Sequence, residues 1–139
     1  MLDLFIDGIA SVSAAIATPD TLALMILGVI VGIIFGSVPG LTAVTGIALF
    51  LPVTYSLGPI KGMALLMAIY IGAVSGGLIA AILINIPGTP ASVATCFDGT
   101  PLARKGQAYK ALGVGTVFSF LGTIFGILIL VFVSPIIAN

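Results

Sequence analysis

The sequence predicts an all-α integral membrane protein, a helix bundle whose members are broken or hairpinned at Pro-Gly pairs. Three observations predict it. Hydrophobic residues make up 60% of the chain and charged residues 6%, against about 25% charge in ordinary globular domains. Mean hydropathy is +1.41, so the 139 residues carry too little polar surface to face water, and lipid is the solvent that fits. The long apolar stretches are punctuated by Ser37-Val38-Pro39-Gly40 and by Asn85-Ile86-Pro87-Gly88.

Residues 1–20 read as a short amphipathic or interfacial lead-in. Leu2, Phe5, Ile6 and Ile9 fall at helical spacing beside Asp3 and Asp7. These acids stand where a secretory signal would carry a basic region. Thr18-Pro19-Asp20 is a break, and Pro19 or Asp20 can start the next helix. Residues 21–36 are apolar and helical, slightly short of a comfortable span. Residues 41–57 follow the first Pro-Gly, with Pro52 near their end. Together 21–57 form either two crossings with a tight turn or a hairpin or broken helix whose Pro-Gly lies within the membrane; the lengths favour the second. Gly58-Pro59-Ile60-Lys61 reads as a surface turn, and 62–84 as a clean span. The polar stretch 85–92 breaks the helix again. Residues 98–110 read as an exposed loop leading into a helix, because Asp98-Gly99-Thr100-Pro101 is a turn signature with Asp98 forming turn and cap. Residues 111–135 are the last span, stopped by Ser134-Pro135.

Small residues recur four apart, as Gly28, Gly32 and Gly36; Gly72, Gly76 and Ala80; Gly115, Ser119 and Thr123; and Gly122 and Gly126. Such stripes let helix backbones approach closely where lipid removes the hydrophobic drive. Gly32 and Gly76 are therefore expected against other helices. Tyr70 lies mid-span with no charged neighbour and is expected to be packed, as is Cys96. The two Pro-Gly segments echo each other weakly, as chance or as a repeat.

The exclusions are clear. A net charge of zero leaves no footprint for nucleic acid. One cysteine and no histidine rule out an internal disulfide, histidine acid–base chemistry and the usual metal sites. No nucleophile–base pair, nucleotide loop or carboxylate pair appears, so catalysis has no support and no cofactor is expected.

The Pro-Gly breaks are the candidate sites. Proline frees backbone carbonyls, and broken backbone at membrane depth is tolerated only against protein or a watery cavity. Transporters use such breaks, where amides meet anions and carbonyls meet ions. Pro39, Gly40, Thr42 and Thr45 mark the first break, and Asn85, Pro87, Gly88, Thr89 and Ser92 the second, with Thr95 nearby. The competing possibility is two surface loops with Ser and Thr as helix caps. Arg104, Lys105 and Lys110 hold three of the four basic residues and read as a cytoplasmic loop, with anion attraction as the lesser alternative.

These residues carry a resemblance. Gly32-Ile33-Ile34-Phe35-Gly36-Ser37-Val38-Pro39-Gly40-Leu41-Thr42 resembles the first signature of the large membrane subunit of tripartite tricarboxylate transporters. A longer second signature is similar to Tyr70 through Gly76-Gly77, Ile82 through Pro90, Asp98-Gly99-Thr100-Pro101, Lys105-Gly106-Gln107 and Ala111-Leu112-Gly113. Order and spacing agree over nearly the whole chain, although Thr100 stands where the family more often has an aromatic residue. The resemblance implies a multi-pass permease of the bacterial inner membrane. It would work with a small membrane subunit and a periplasmic solute-binding protein, importing citrate-like carboxylates on a sodium or proton gradient. Residues 1–139 would then be one membrane domain, the N-terminal part of a longer permease. Both Pro-Gly segments are expected to converge near the membrane midplane on one solute pathway. A scaffold subunit without a solute site and a small homo-oligomeric channel are the alternatives.

Overall fold

A computed structural model describes the backbone of residues 2–137 and the side chains of 7–133 and 137. Met1, Ala138 and Asn139, and the side chains of residues 2–6 and 134–136, lie outside the described residues, so the amphipathic face expected for the lead-in is only partly visible. Six α-helices and no strand occur among the described residues: α1 (Leu2–Ile16), α2 (Pro19–Ser37), α3 (Ala43–Leu57), α4 (Pro59–Ile84), α5 (Val93–Leu102) and α6 (Ala108–Ile137). Pro19 and Pro59 each open a helix at its first turn, where the missing N–H has no partner to lose. Among the described residues, three helical stretches are long and apolar enough to cross a membrane: Pro19–Ser37, Pro59–Ile84 and the segment containing α6.

Helix α4 is the core. Its 26 residues measure about 39 Å, and Leu65, Ala68, Ile69, Ala73, Ala80, Ala81 and Ile82 are buried along it. The glycine faces of α2 and α4 meet. A methyl on Gly28 would lie 2.9 Å from the Ala68 Cβ, and one on Gly32 would lie 2.9 Å from the Gly72 Cα. One on Gly76 would lie 2.9 Å from the Ser37 amide nitrogen. Contacts climb both helices together, so α2 and α4 run parallel, and Lys61 Nζ meets the Asp20 carboxylate at 3.5 Å near their first turns. Helix α3 runs back along α4: Gly46 faces Ile69, and Thr54 faces Gly62. Thus 21–57 is a hairpin. Gly58 alone, at φ 78°, turns the chain into α4, so the expected four-residue turn is shorter and Lys61 belongs to the helix.

Beyond α4 the chain re-enters the bundle. Gly88 and Thr89 return to the level of Gly77, Gly99 then packs on Ile82, and Thr100 reaches Ala81. Helix α5 therefore climbs beside the end of α4. Residues Ala103–Gln107 form a wide π-type turn with Gly106 at φ 75°, and α6 descends, with Gly115 against Leu78.

Four expectations are corrected. Asp98–Leu102 is helical, so 98–110 is no open loop; Gly99 and Thr100 are buried against α4, and that packing outweighs the turn preference of Asp-Gly-Thr-Pro. Asp98 lies inside α5 and exposed, so it caps nothing. Helix α6 continues to Ile137 and does not stop at 134–135. Tyr70 is on the outer face of α4, 50% exposed. The small-residue stripe of α6 also meets nothing beyond Gly115: no described atom comes within 4 Å of a methyl placed on Gly122 or Gly126.

Candidate functional site

The first break is a tight turn followed by a cap. The Leu41 N–H donates to the Val38 carbonyl at 3.1 Å, enclosing Pro39 and Gly40. Gly40 has φ 93°, the left-handed conformation that the third residue of a type II turn requires, with proline favoured just before it. Thr42 then caps α3: its hydroxyl oxygen accepts from the Thr45 N–H at 3.4 Å and lies 3.2 Å from the Thr45 hydroxyl. Pro39, Gly40 and Thr45 are exposed and Thr42 half-buried.

The second break begins at Asn85, which ends α4 in the left-handed region at φ 57°, ψ 29°. Asparagine is among the few non-glycine residues that adopt this conformation readily. Ile86 and Pro87 are exposed, whereas Gly88, Thr89 and Ser92 are buried. Gly88 lies on the Gly36 carbonyl oxygen, and a methyl there would sit 2.9 Å from the Gly77 Cα. The Thr89 N–H donates to the Ser92 hydroxyl at 3.2 Å, and that hydroxyl donates to the Thr89 carbonyl at 2.8 Å. Every buried side-chain polar atom among the described residues has a partner.

The second break therefore touches the last turn of α2, just before the first break, through Gly88 and Gly36. Their meeting level, Gly76–Gly77, lies about 26 Å along α4 from Pro59 and about 11 Å from its Ile84 end. That is toward one end of the helix, away from its middle. Pro39, Gly40, Thr42 and Thr45 do not line the cleft beside Asn85. Thr89 and Ser92 bond to each other and Gly88 packs on Gly36 and Gly77, leaving Asn85 and Pro87 as the expected site residues that line the cleft beside the end of α4.

That space is a cleft of about 470 Å³. Asn85, Thr100, Arg104 and Cys96 supply its polar groups; Pro87, Val93, Phe97 and Pro101 form its apolar wall. Arg104 and Thr100 also line a second hollow of about 250 Å³ against Leu83 and Ile84 at the end of α4. The Thr100 hydroxyl lies 2.8 Å from the Ala81 carbonyl oxygen and 3.0 Å from Asn85 Oδ1. It has one proton and serves one of these acceptors at a time. When it donates to Ala81, the Asn85 amide can turn its NH₂ toward the Thr100 oxygen and present Oδ1 to the cleft; when it donates to Asn85, the NH₂ faces the cleft. The site can thus offer a donor or an acceptor.

Sequence reasoning missed Thr100 as a site residue and put Arg104 in a loop. A signal existed: Val93, Cys96, Phe97, Thr100 and Arg104 share one face at helical spacing. The turn signature at Asp98 concealed it.

Comparison with known proteins follows the same lines. Residues 22–139 match the family model described as "Tripartite tricarboxylate transporter TctA family". A protein of Agrobacterium vitis, described as "Uncharacterized 52.8 kDa protein in TAR-I ttuC' 3'region", is 37% identical over 122 residues, covering 88% of this chain and 24% of its own length. The chain thus spans about a quarter of that relative. No solved structure matches. With apolar helices suited to crossing a membrane and a family model matched over most of its length, the chain belongs to the tripartite tricarboxylate transporter TctA family.

Proposed function

We propose that this chain forms part of the large membrane subunit of an ion-gradient-driven carboxylate uptake transporter, and that the solute binds in the cleft beside Asn85. One observation carries the assignment: the second break leaves a left-handed Asn85 at an open cleft with Thr100 bonded to it. Polar side chains at a helix end, beside backbone freed by Pro87, are the arrangement by which transporters hold small ions and anions. The family supports transport as the activity. A small membrane subunit and a periplasmic solute-binding protein are the proposed partners, a bacterial inner membrane the location, and symport with sodium or a proton the energy source.

The scaffold alternative draws on the internal bonding of Thr42–Thr45 and Thr89–Ser92, which accounts for those residues without a solute. Asn85 separates the two. Leucine there would strain the left-handed backbone, whereas Asn85→Gly keeps that conformation and removes only the amide. In the full transporter, Asn85→Gly is expected to lower carboxylate uptake about ten-fold or more, the effect of losing a hydrogen bond to a charged group, at unchanged protein level. Uptake at the wild-type rate would favour the scaffold.

A further inference from the structure

We propose that the Arg104 guanidinium anchors one carboxylate of the solute in the Asn85 cleft, with Val93, Phe97 and Pro101 supplying an apolar wall for the rest of that molecule; this rests on the carboxylate-transport assignment above. Arg104 is the one charged residue lining the cleft, and no acid lines it. Asp98, two turns earlier in the chain, is exposed and outside the lining. A guanidinium presents a planar fork that matches a carboxylate through two parallel hydrogen bonds. Asn85, whose Oδ1 accepts from the Thr100 hydroxyl at 3.0 Å, stands beside it with its NH₂ as a neutral donor for an oxygen that the fork leaves free.

Charge defines the class of ligand. One guanidinium compensates one carboxylate, so further carboxylates of a larger acid lie toward the open mouth. The same positive charge disfavours a bare metal cation, so Asn85 serves the solute and the coupling ion binds elsewhere. The carbonyl end of α4, lined by Leu83 and Ile84 beside Arg104, carries partial negative charge. It steadies the guanidinium without neutralising it.

Cys96 is the chain's single cysteine and lines the same cleft, half-buried, so it reports occupancy without being a ligand. The experiment measures alkylation of Cys96 by N-ethylmaleimide, read by mass spectrometry, together with citrate uptake, in the full transporter reconstituted in vesicles. Citrate is expected to slow alkylation, and its neutral trimethyl ester is not. Arg104→Gln should raise the citrate concentration needed for protection, and the KM for uptake, about ten-fold or more, with kcat changed less; Arg104→Lys should recover part of both. A purely structural Arg104 would alter protein level or kcat and leave the protection curve in place. Protection of Arg104→Gln at the wild-type citrate concentration overturns the anchor and leaves the cleft standing. Citrate uptake without protection in the wild type overturns both the anchor and the Asn85 site. Absence of uptake of any carboxylate overturns the transport assignment itself. Should Arg104→Gln fail to accumulate, the ester decides: protection by ester and acid alike removes the charge contact.

Discussion

Replacing Gly32 with alanine tests the close packing of α2 on α4. The added methyl would lie 2.8 Å from the Ala73 amide nitrogen and 2.9 Å from the Gly72 Cα, and nearer still to the Ile69 carbonyl oxygen. All three are backbone atoms of α4, so no side chain can swing aside. Relief requires the two helices to part by about 1 Å, which forfeits a quarter to a half of the dispersion energy of each facing atom pair. Overpacking of this kind costs about 1–3 kcal/mol, and a rigid backbone wall puts Gly32 in the upper part of that range. Alanine regains about 1 kcal/mol of helix propensity, leaving a net loss of about 1–2 kcal/mol. Gly122→Ala is the matched control, because a methyl there meets no described atom within 4 Å. It gains the propensity term without the clash. The assay is thermal unfolding of the detergent-purified protein, where Gly32→Ala should lower the midpoint by about 5 °C and Gly122→Ala should leave it unchanged or raise it. A Gly32→Ala protein melting at or above wild type would refute the argument from close approach.

Further outcomes follow from the same geometry. Gly88→Ala places a methyl against the Gly36 carbonyl and the Gly77 Cα; it should push the second break away from α2 and α4 and destabilise the protein by about 1–3 kcal/mol, measured by the same unfolding assay. Thr100→Val removes the hydroxyl shared by Ala81 and Asn85 and should cost about 1 kcal/mol, whereas Thr100→Ser should keep most of it. For topology, Gln107→Cys in a Cys96→Ala background should be labelled from the cytoplasmic side, since Arg104, Lys105 and Lys110 cluster around it and basic loops stay inside; labelling from the opposite side would invert the orientation. Gln107 is preferred to Gly106, whose φ of 75° disfavours any side chain.

The sequence by itself determined the membrane class, the helical content and the small-residue faces of α2 and α4, because these depend on composition and on a period of 3.6 residues. It also located both Pro-Gly breaks, since proline and glycine act on the backbone at their own positions. Gly40 illustrates this: its positive φ follows from a turn of four consecutive residues. Only the tertiary structure decided what lies beside those breaks. Asn85 meets Thr100, fifteen residues later, because the chain folds back to Gly77 and α5 climbs again along α4. The local signal at Asp98-Gly-Thr-Pro favoured a turn, and burial of Gly99 and Thr100 against Ile82 and Ala81 overrode it. That packing also draws Arg104 to the cleft from a cluster whose sequence signature is that of an ordinary basic loop. Thr89 and Ser92, singled out by their place after Pro87-Gly88, bond to each other in the folded chain. Composition and periodicity are summed along the chain, while a site depends on which distant residues a packed backbone brings within a few ångströms of one another.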